Sequence, residues 1–244
     1  IDAKDPTAGA LGALPVETIR AIREAVGRSR TVTAVIGDLI DSAGVLDAAE
    51  RVVATGVDMV KVGLFPGPDR AGLVAELGRR LGSRTRLVGV LIADRAPDLA
   101  LVPAAAAAGF AGIMMDTEGK AGGLLSVTGP AERAAFVALA RRHGLMVGLA
   151  GSLRIADIAG LAALGVRCVT LRLDSCGACP LGALRNEITA TAESARILLA
   201  SVPLEVRIAT QAARVWRKGQ IVAVNDPPVS RRASLAATSF ALCQ

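Results

Sequence analysis

The chain carries few lysines, and three of its four lie where an amine could do chemistry. They are Lys4 in the opening segment "IDAKDPTAGALGA", Lys61 in "MVKVGL" and Lys120 in "MMDTEGKAGG", whereas Lys218 stands apart near the C-terminus. Lysine and arginine together number 28, so arginine is by far the commoner base. An uncharged lysine amine can attack a carbonyl carbon to form a Schiff base, whereas a guanidinium stays protonated. Each retained lysine is therefore informative.

Carbonyl chemistry would explain such a set of lysines. The positive nitrogen of a Schiff base stabilises a neighbouring carbanion, a second ammonium nearby favours the uncharged form of the first, and Asp116 could shuttle protons. The alternative is that each lysine is an exposed ion-pair partner, and for one lysine alone we would favour it. Because three of the four lie on or beside predicted strands, we favour the catalytic interpretation.

The elements that would position these residues follow a regular alternation. Predicted strands cover 1–3, 32–37, 59–64, 87–92, 112–116, 146–151 and 168–173, and predicted helices cover 15–27, 44–55, 69–82, 97–108, 129–142, 154–163 and 183–200. Continuous apolar strands that alternate with amphipathic helices predict a parallel sheet covered by helices. A repeat of about 25–30 residues favours a TIM (β/α)8 barrel.

The number of predicted strands is one short of a barrel. We interpret the first strand and helix as missing from the N-terminus, although "LEVRIA" at 204–209 could supply an eighth strand. We predict a catalytic barrel domain over 1–200. Residues 201–244, which show no clear amphipathic helix, are predicted to form a C-terminal tail.

Strand alternation predicts which side chains face the barrel interior. In "MVKVGL", Val60, Val62 and Leu64 would pack on helices, and Met59, Lys61 and Gly63 would point inward, where desolvation favours an uncharged amine. By the same alternation Asp2 and Lys4 share a face. Because active sites of such barrels lie at the carboxyl ends of the strands, we expect Lys4, Lys61, Asp116 and Lys120 to converge at one mouth.

A phosphate site is predicted near the later strands. Gly151 and Ser152 in "GLAGSL" could present backbone N–H groups and a hydroxyl to a phosphate at a helix N-terminus, and Arg172 could clamp the same anion. An ordinary βα turn is the alternative for so short a motif. The segments "GGLLS" (122–126) and "GLFPGP" (63–68) are interpreted as lids or turns.

Composition limits the partners. A net charge of +6 fits a surface that attracts phosphorylated metabolites, while aromatic residues at 2% with no tyrosine argue against base-stacking platforms. Nucleic-acid binding is retained only as a lesser alternative. No apolar run approaches the ~18 residues of a bilayer span, and no secretory signal opens the chain, so we expect a cytoplasmic protein with no membrane partner.

The cysteines do not indicate a cofactor. Cys176 and Cys179 form one C-x-x-C, but a zinc site needs about four ligands and His143 is the sole histidine. We favour a reduced thiol pair over a metal or redox centre. We expect no metal, a small phosphorylated substrate and a homo-oligomer.

Four motifs together resemble a known family. They are "IDAKDPTAGALGA", "VKVGL", "IMMDTEGKAGGLL" and "GLAGSL", and the pattern is similar to that of the (5-formylfuran-3-yl)methyl phosphate synthases, also called 4-(hydroxymethyl)-2-furancarboxaldehyde-phosphate synthases. The likeness spans about residues 1–200. It departs after "LRLDSC", where the family continues with a glycine-rich segment, and it ends near 200.

The resemblance implies a cofactor-free TIM-barrel lyase of methanofuran biosynthesis. Such enzymes condense two molecules of glyceraldehyde 3-phosphate into the furan phosphate, with loss of one phosphate and water. The resemblance also implies that Lys4 forms the Schiff base, that Lys61 accepts a proton, and that Asp116 and Lys120 assist further proton transfers. Another class I aldolase acting on a phosphorylated aldehyde, or a non-catalytic sugar-phosphate-binding barrel, are the alternatives.

Overall fold

The computed structural model describes residues 1, 10–28, 31–119, 122–153, 157–166, 168–172 and 239–241. The described strands are β1 (Thr33–Val35), β2 (Met59–Leu64), β3 (Arg86–Ile92), β4 (Gly112–Asp116), β5 (Met146–Leu153), β6 (Cys168–Arg172) and β7 (Ser239–Ala241). The described helices are α1 (Val16–Val26), α2 (Ser42–Val53), α3 (Arg70–Leu81), α4 (Leu101–Ala107), α5 (Leu124–Val127), α6 (Pro130–Arg142) and α7 (Ile158–Ala163).

The strands form one sheet in the order of the chain, from β1 to β7. Each neighbouring pair from β1 to β6 is parallel, which requires a crossover between successive strands, and the helices provide it. The predicted α/β class with a helix-covered parallel sheet is confirmed. β7 is the exception, because it pairs antiparallel with β6.

Ile1 continues the parallel pairing beyond β1. Its amino group donates to the carbonyl oxygen of Thr33, and its own carbonyl accepts a hydrogen bond from Val35 N–H at 3.2 Å. This is the pattern of two parallel strands in which Ile1 lies opposite Ala34. The predicted strand 1–3 therefore begins beside β1, and its residues 2 and 3 lie outside the described part of the chain.

Two elements were not predicted from the sequence. The first is α5, a single turn that overlaps the segment 122–126, which we interpreted as a lid or turn. Thr128 Oγ1 closes it by donating to the Leu124 carbonyl at 2.5 Å. The second is β7, which lies in the predicted tail. The predicted helix 183–200 and the possible strand 204–209 lie outside the described residues.

Helix boundaries follow local capping chemistry. α2 begins after Asp41, whose carboxylate accepts Gly44 N–H at 2.6 Å. α6 begins at Pro130, where the missing N–H costs nothing, and Glu132 accepts Gly129 N–H at 2.6 Å. α4 begins four residues later than predicted, since residues 98–101 form a turn in which the Asp98 side chain accepts Ala100 N–H at 2.9 Å.

The buried side chains separate into two clusters on the two faces of the sheet. The helix-facing cluster contains Val60, Val62 and Leu64 of β2 together with the apolar stripes of the helices. The second cluster, which we call the inner cluster, consists of Ala10, Leu11, Val35, Met59, Phe65, Val88, Val90, Ile92, Met114 and Ala150. This division confirms the predicted facing of β2. Within the described residues, no helix is long and apolar enough to cross a lipid bilayer.

Candidate active site

Lys61 lies in the middle of β2 on the face of the inner cluster. Its register partners, Val35 in β1 and Val88 in β3, both belong to that cluster. The residue is only 6% exposed, and no described residue forms a hydrogen bond or an ion pair with its ammonium group. Buried charges in proteins are normally paired, because desolvation is costly. A buried lysine among valines is therefore a strong candidate for a functional group.

Asp116 is the last residue of β4 and lies on the same face of the sheet. It is 8% exposed and stands in register with Ile92 of the inner cluster. Its Oδ1 accepts the backbone N–H of Thr117 at 2.7 Å. The carboxylate thus lies at the carboxyl edge of the sheet, where polar groups of parallel α/β proteins bind ligands.

Lys61 and Asp116 lie on the same face of the sheet but at different positions along the strand direction. Across β2, β3 and β4 the register runs Lys61, Val88, Gly112, so Asp116 lies four residues further toward the carboxyl edge than the position level with Lys61. Four residues correspond to roughly 13 Å along a strand. The Lys61 side chain therefore starts from the middle of the sheet, while the Asp116 carboxylate lies at its carboxyl edge.

Gly63 and Phe65 cover the approach to Lys61 from the carboxyl edge. Gly63 faces the interior two residues after Lys61, and a Cβ at this position would lie 2.4 Å from Cε2 of Phe65 and 3.1 Å from Cδ1 of Leu11. The Phe65 ring therefore folds back onto the bare backbone of Gly63. Only glycine permits this contact without displacing the ring.

Gly151 and Ser152 lie in an irregular part of β5. Leu149 pairs with Val169 and Leu153 with Leu171, so four steps of β5 oppose two of β6. Gly151 has a φ of 109° and Ser152 has a φ of 49°. Bulges of this kind are common beside active sites. The predicted phosphate turn is thus a bulged strand end rather than the start of a helix, since α7 begins only at Ile158.

Two aspartates that sequence reasoning missed connect the loops at this edge. Asp38 follows β1 and accepts the backbone N–H groups of Ala10 and Leu11 at 2.5 and 2.9 Å. Asp94 follows β3 and accepts those of Glu118 and Gly119 at 2.9 and 2.6 Å. The signal available in the sequence was an aspartate soon after each apolar run, in "VIGD" and "LIAD".

Arg70 joins the loop after β1 to the loop after β2. It is 7% exposed, its Nη2 donates to the carbonyl of Ile40 at 2.5 Å, and its Nε is buried with no hydrogen-bond acceptor. Gly67 packs against the guanidinium so closely that a Cβ there would lie 2.1 Å from Nη2. The loops after β1 and β2 are thereby held together.

Several predicted site residues lie outside the described part of the chain. These are Asp2, Lys4 and Lys120, together with Cys176 and Cys179 of the C-x-x-C motif. Arg172 is the last residue of β6, where it pairs with Ser239 of β7. Of the predicted catalytic set, the described residues Lys61 and Asp116 lie on one face. In the described ranges, no cluster of three or more histidine, cysteine, aspartate or glutamate side chains forms a possible metal site.

These features define an α/β protein with a buried lysine beneath a polar rim at the carboxyl edge of a parallel sheet. A family model for 4-HFC-P synthase matches residues 1–191. The chain therefore belongs to the 4-HFC-P synthase family.

Proteins similar to this chain carry names that agree with this family assignment. A protein from Methylorubrum extorquens, provisionally named a (5-formylfuran-3-yl)methyl phosphate synthase, is 47% identical over 167 residues, which are 67% of this chain and 68% of the relative. The (5-formylfuran-3-yl)methyl phosphate synthase of Methanopyrus kandleri is 36% identical over 203 residues, which are 77% of this chain and 86% of that protein. That of Methanosarcina acetivorans is 30% identical over 201 residues.

Solved structures are more distantly similar. Deoxyribose phosphate aldolase from Aeropyrum pernix has a TM-score of 0.46 at 20% identity, and the match covers 62% of this chain and 66% of the aldolase. Phosphoenolpyruvate phosphomutase from Streptomyces platensis subsp. rosaceus has a TM-score of 0.43 at 16% identity, with 88% of this chain and 71% of the phosphomutase covered.

Proposed function

We propose that the protein is a Schiff-base-forming lyase that condenses two molecules of glyceraldehyde 3-phosphate into (5-formylfuran-3-yl)methyl phosphate. The observation that carries the proposal is the buried Lys61 side chain, whose ammonium has no partner among the described residues and which lies beneath the carboxyl edge of the sheet. Membership of the 4-HFC-P synthase family supports the substrate and the product. The route is methanofuran biosynthesis, and the cytoplasm is the compartment that we propose.

We propose a (β/α)8 barrel as the complete architecture. Six successive parallel strands in chain order are the arrangement of such a barrel, and the hydrogen bonds of Ile1 extend it beyond β1. Closing the sheet would bring the loops after β1, β3, β4 and β5 around one mouth. Lys61 would then lie inside the barrel, below that mouth.

In the proposed mechanism, the amine of Lys4 adds to the carbonyl carbon of one triose phosphate, and loss of water leaves a protonated imine. The positive nitrogen acidifies the adjacent C–H, and Lys61 accepts that proton, which gives an enamine. The enamine expels its phosphate as inorganic phosphate, and the carbon that carried it attacks the ketone carbonyl of the second triose, which has first been isomerised from the aldehyde. Ring closure and loss of water give the aromatic furan, and addition of water to the remaining imine releases the formyl group and the amine of Lys4.

Asp116 and Lys120 are proposed to move protons in the isomerisation and aldol steps. Asp116 suits this role because its carboxylate lies at the rim, where a hydroxyl of the second triose would arrive, and because its position is set by the Thr117 N–H. A carboxylate and an amine near one substrate can divide the work of base and acid between them.

The phosphate groups are proposed to bind at the bulged end of β5. Gly151 and Ser152 turn the backbone there, Arg172 ends the neighbouring strand β6, and Asp2 is proposed to contact a substrate hydroxyl. A phosphate on one side of the mouth would fix the carbonyl carbon in reach of the lysines. The net charge of +6 would favour the arrival of such anions.

Reductive trapping tests the proposal. Borohydride added with glyceraldehyde 3-phosphate should give a stable adduct on Lys4, found by peptide mass spectrometry, while untreated enzyme releases the furan phosphate. The Lys4→Arg variant, which keeps the charge but cannot form the imine, should give neither. An adduct on Lys218 alone, or substrate binding without product, would defeat the assignment, and a product other than the furan phosphate would indicate a different class I aldolase.

A further inference from the structure

The loop after β4 is held by an aspartate from another strand. Asp94 uses both carboxylate oxygens, Oδ1 for the N–H of Glu118 at 2.9 Å and Oδ2 for the N–H of Gly119 at 2.6 Å. Glu118 is held a second time, by an ion pair with Arg95. The two residues that directly precede Lys120 are therefore attached to the end of β3.

The described residues on either side of the segment that carries Lys4 are attached to β1 and to the loop after it. Beyond one end, Ile1 exchanges two hydrogen bonds with Thr33 and Val35. Beyond the other end, Asp38 accepts the N–H groups of Ala10 and Leu11 at 2.5 and 2.9 Å. The described residues on both sides of 2–9 are thus attached to β1 or to the loop that follows it.

These contacts differ from ordinary aspartate capping. Asp41 and Asp69 each accept an N–H group three residues further along the chain, at the start of the helix that they precede. Asp38 and Asp94 instead join residues that are 24 to 28 positions distant, and each binds two successive N–H groups. A carboxylate that accepts two neighbouring N–H groups fixes both the position and the direction of the backbone.

We infer that Asp38 and Asp94 are positioning residues, the first for Lys4 and the second for Lys120. The inference rests on the proposed function, because it assigns the two lysines to different steps. A loop whose backbone is attached to a neighbouring loop by two hydrogen bonds holds a reactive amine more closely than a free loop would. A displacement of about 1 Å can cost a hundredfold in rate.

The two aspartates should therefore affect different steps of the reaction. Asp94→Asn removes one acceptor oxygen, so we expect kcat to fall about 10- to 100-fold while borohydride still traps the adduct on Lys4 at close to the wild-type rate. Asp38→Asn should slow the trapping itself by about tenfold or more, and turnover with it. Asp94→Glu, which keeps both oxygens, should recover part of the lost turnover.

Asp41→Asn is the matched control, since it makes the same chemical change in a carboxylate that caps a helix instead of holding a distant loop. It should leave the trapping rate and kcat near the wild-type values. Melting temperatures of all variants show how much of each effect comes from folding. A merely structural role would lower trapping and turnover only as far as the folded fraction falls.

The outcomes separate the inference from the proposed function. Equal losses of trapping and turnover in Asp94→Asn, or unchanged kinetics in both variants, would overturn the positioning roles although the wild type still makes product. A wild-type protein that neither forms an adduct nor releases product would overturn the proposed function, and the positioning roles with it.

Discussion

Gly151 in the β5 bulge packs directly against Thr117, the residue that follows Asp116. A Cβ at position 151 would lie 2.7 Å from Oγ1 and 3.1 Å from Cγ2 of Thr117. A Cβ at position 123 would likewise lie 2.9 Å from the Gly151 carbonyl oxygen and 3.2 Å from Cβ of Ser152. The ends of β4 and β5 therefore form one packed unit, and it places the proposed phosphate turn beside the proposed proton-shuttling carboxylate.

Gly151→Ala should destabilise this unit. The φ of 109° is strained for alanine, and the new Cβ would collide with Thr117, so we expect the free energy of unfolding to fall by about 2–4 kcal/mol. Thermal or urea unfolding would measure the loss, and KM should rise with it. Gly160→Ala in α7 is the control, because a Cβ there meets nothing within 4 Å, and alanine favours a helix. A stable Gly151→Ala protein would contradict the packing described here.

Lys61→Met should separate stability from activity. Methionine fits among the valines without the cost of burying a charge, so we expect the free energy of unfolding to rise by on the order of 1–2 kcal/mol. Turnover should fall by about 100-fold or more, because the proton acceptor is lost. Lys218→Met should retain activity. Wild-type turnover in Lys61→Met would exclude Lys61 as the base.

Gly63→Ala should displace the ring of Phe65. With a distance of 2.4 Å from the new Cβ to Cε2, the variant should lose about 1–3 kcal/mol of stability. The loss depends on the ring, so Phe65→Leu should tolerate the extra methyl better. A double-mutant cycle on unfolding free energies should therefore show a coupling of about 1 kcal/mol or more between the two positions. Additive effects would mean that the ring does not cause the strain.

Glu76 should contribute to the pH dependence of stability. Hydrogen bonds from Arg79 and Arg80 lower the pKa of Glu76 from 4.5 to about 2. Since the folded-state pKa is depressed, its contribution is present above about pH 4.5 and is lost as the pH falls toward 2. The melting-temperature difference between the wild type and Glu76→Gln should shrink over that interval.

Salt provides the control for this effect. The Glu76 carboxylate is partly exposed to solvent, so added salt should screen its interactions and reduce the difference at neutral pH. A difference between the two proteins that is independent of both pH and salt would show that the carboxylate charge is not the cause.

Most of the helices and strands could be predicted because the sequence patterns that indicate them involve only neighbouring residues. The run "MVKVGL" predicted both the limits of β2 and the faces of its side chains, since alternation along a strand needs only neighbouring residues. The same holds for Asp116, which ends an apolar run at the edge where parallel strands present polar groups. Capping chemistry likewise explains why α6 begins at Pro130.

The β5 bulge and the pairing of β7 were not predictable in this way. The bulge is defined by how β5 pairs with β6, and its glycine is required by a contact with Thr117 from another strand. β7 is a three-residue segment whose pairing with β6 spans about 70 positions of the chain, so local periodicity carries no signal for it.

The sequence by itself determined the βα alternation, the inward face of Lys61 and the chemistry of amines beside a carboxylate, because residue type and short-range spacing suffice for these. Tertiary structure decided that Lys61 and Asp116 stand at different depths, that Gly151 rests on Thr117, and that Asp38 and Asp94 hold the loops next to the proposed catalytic lysines. The physical reason is that register and hydrogen bonds between strands join residues more than twenty positions apart, and only the folded chain brings those partners together.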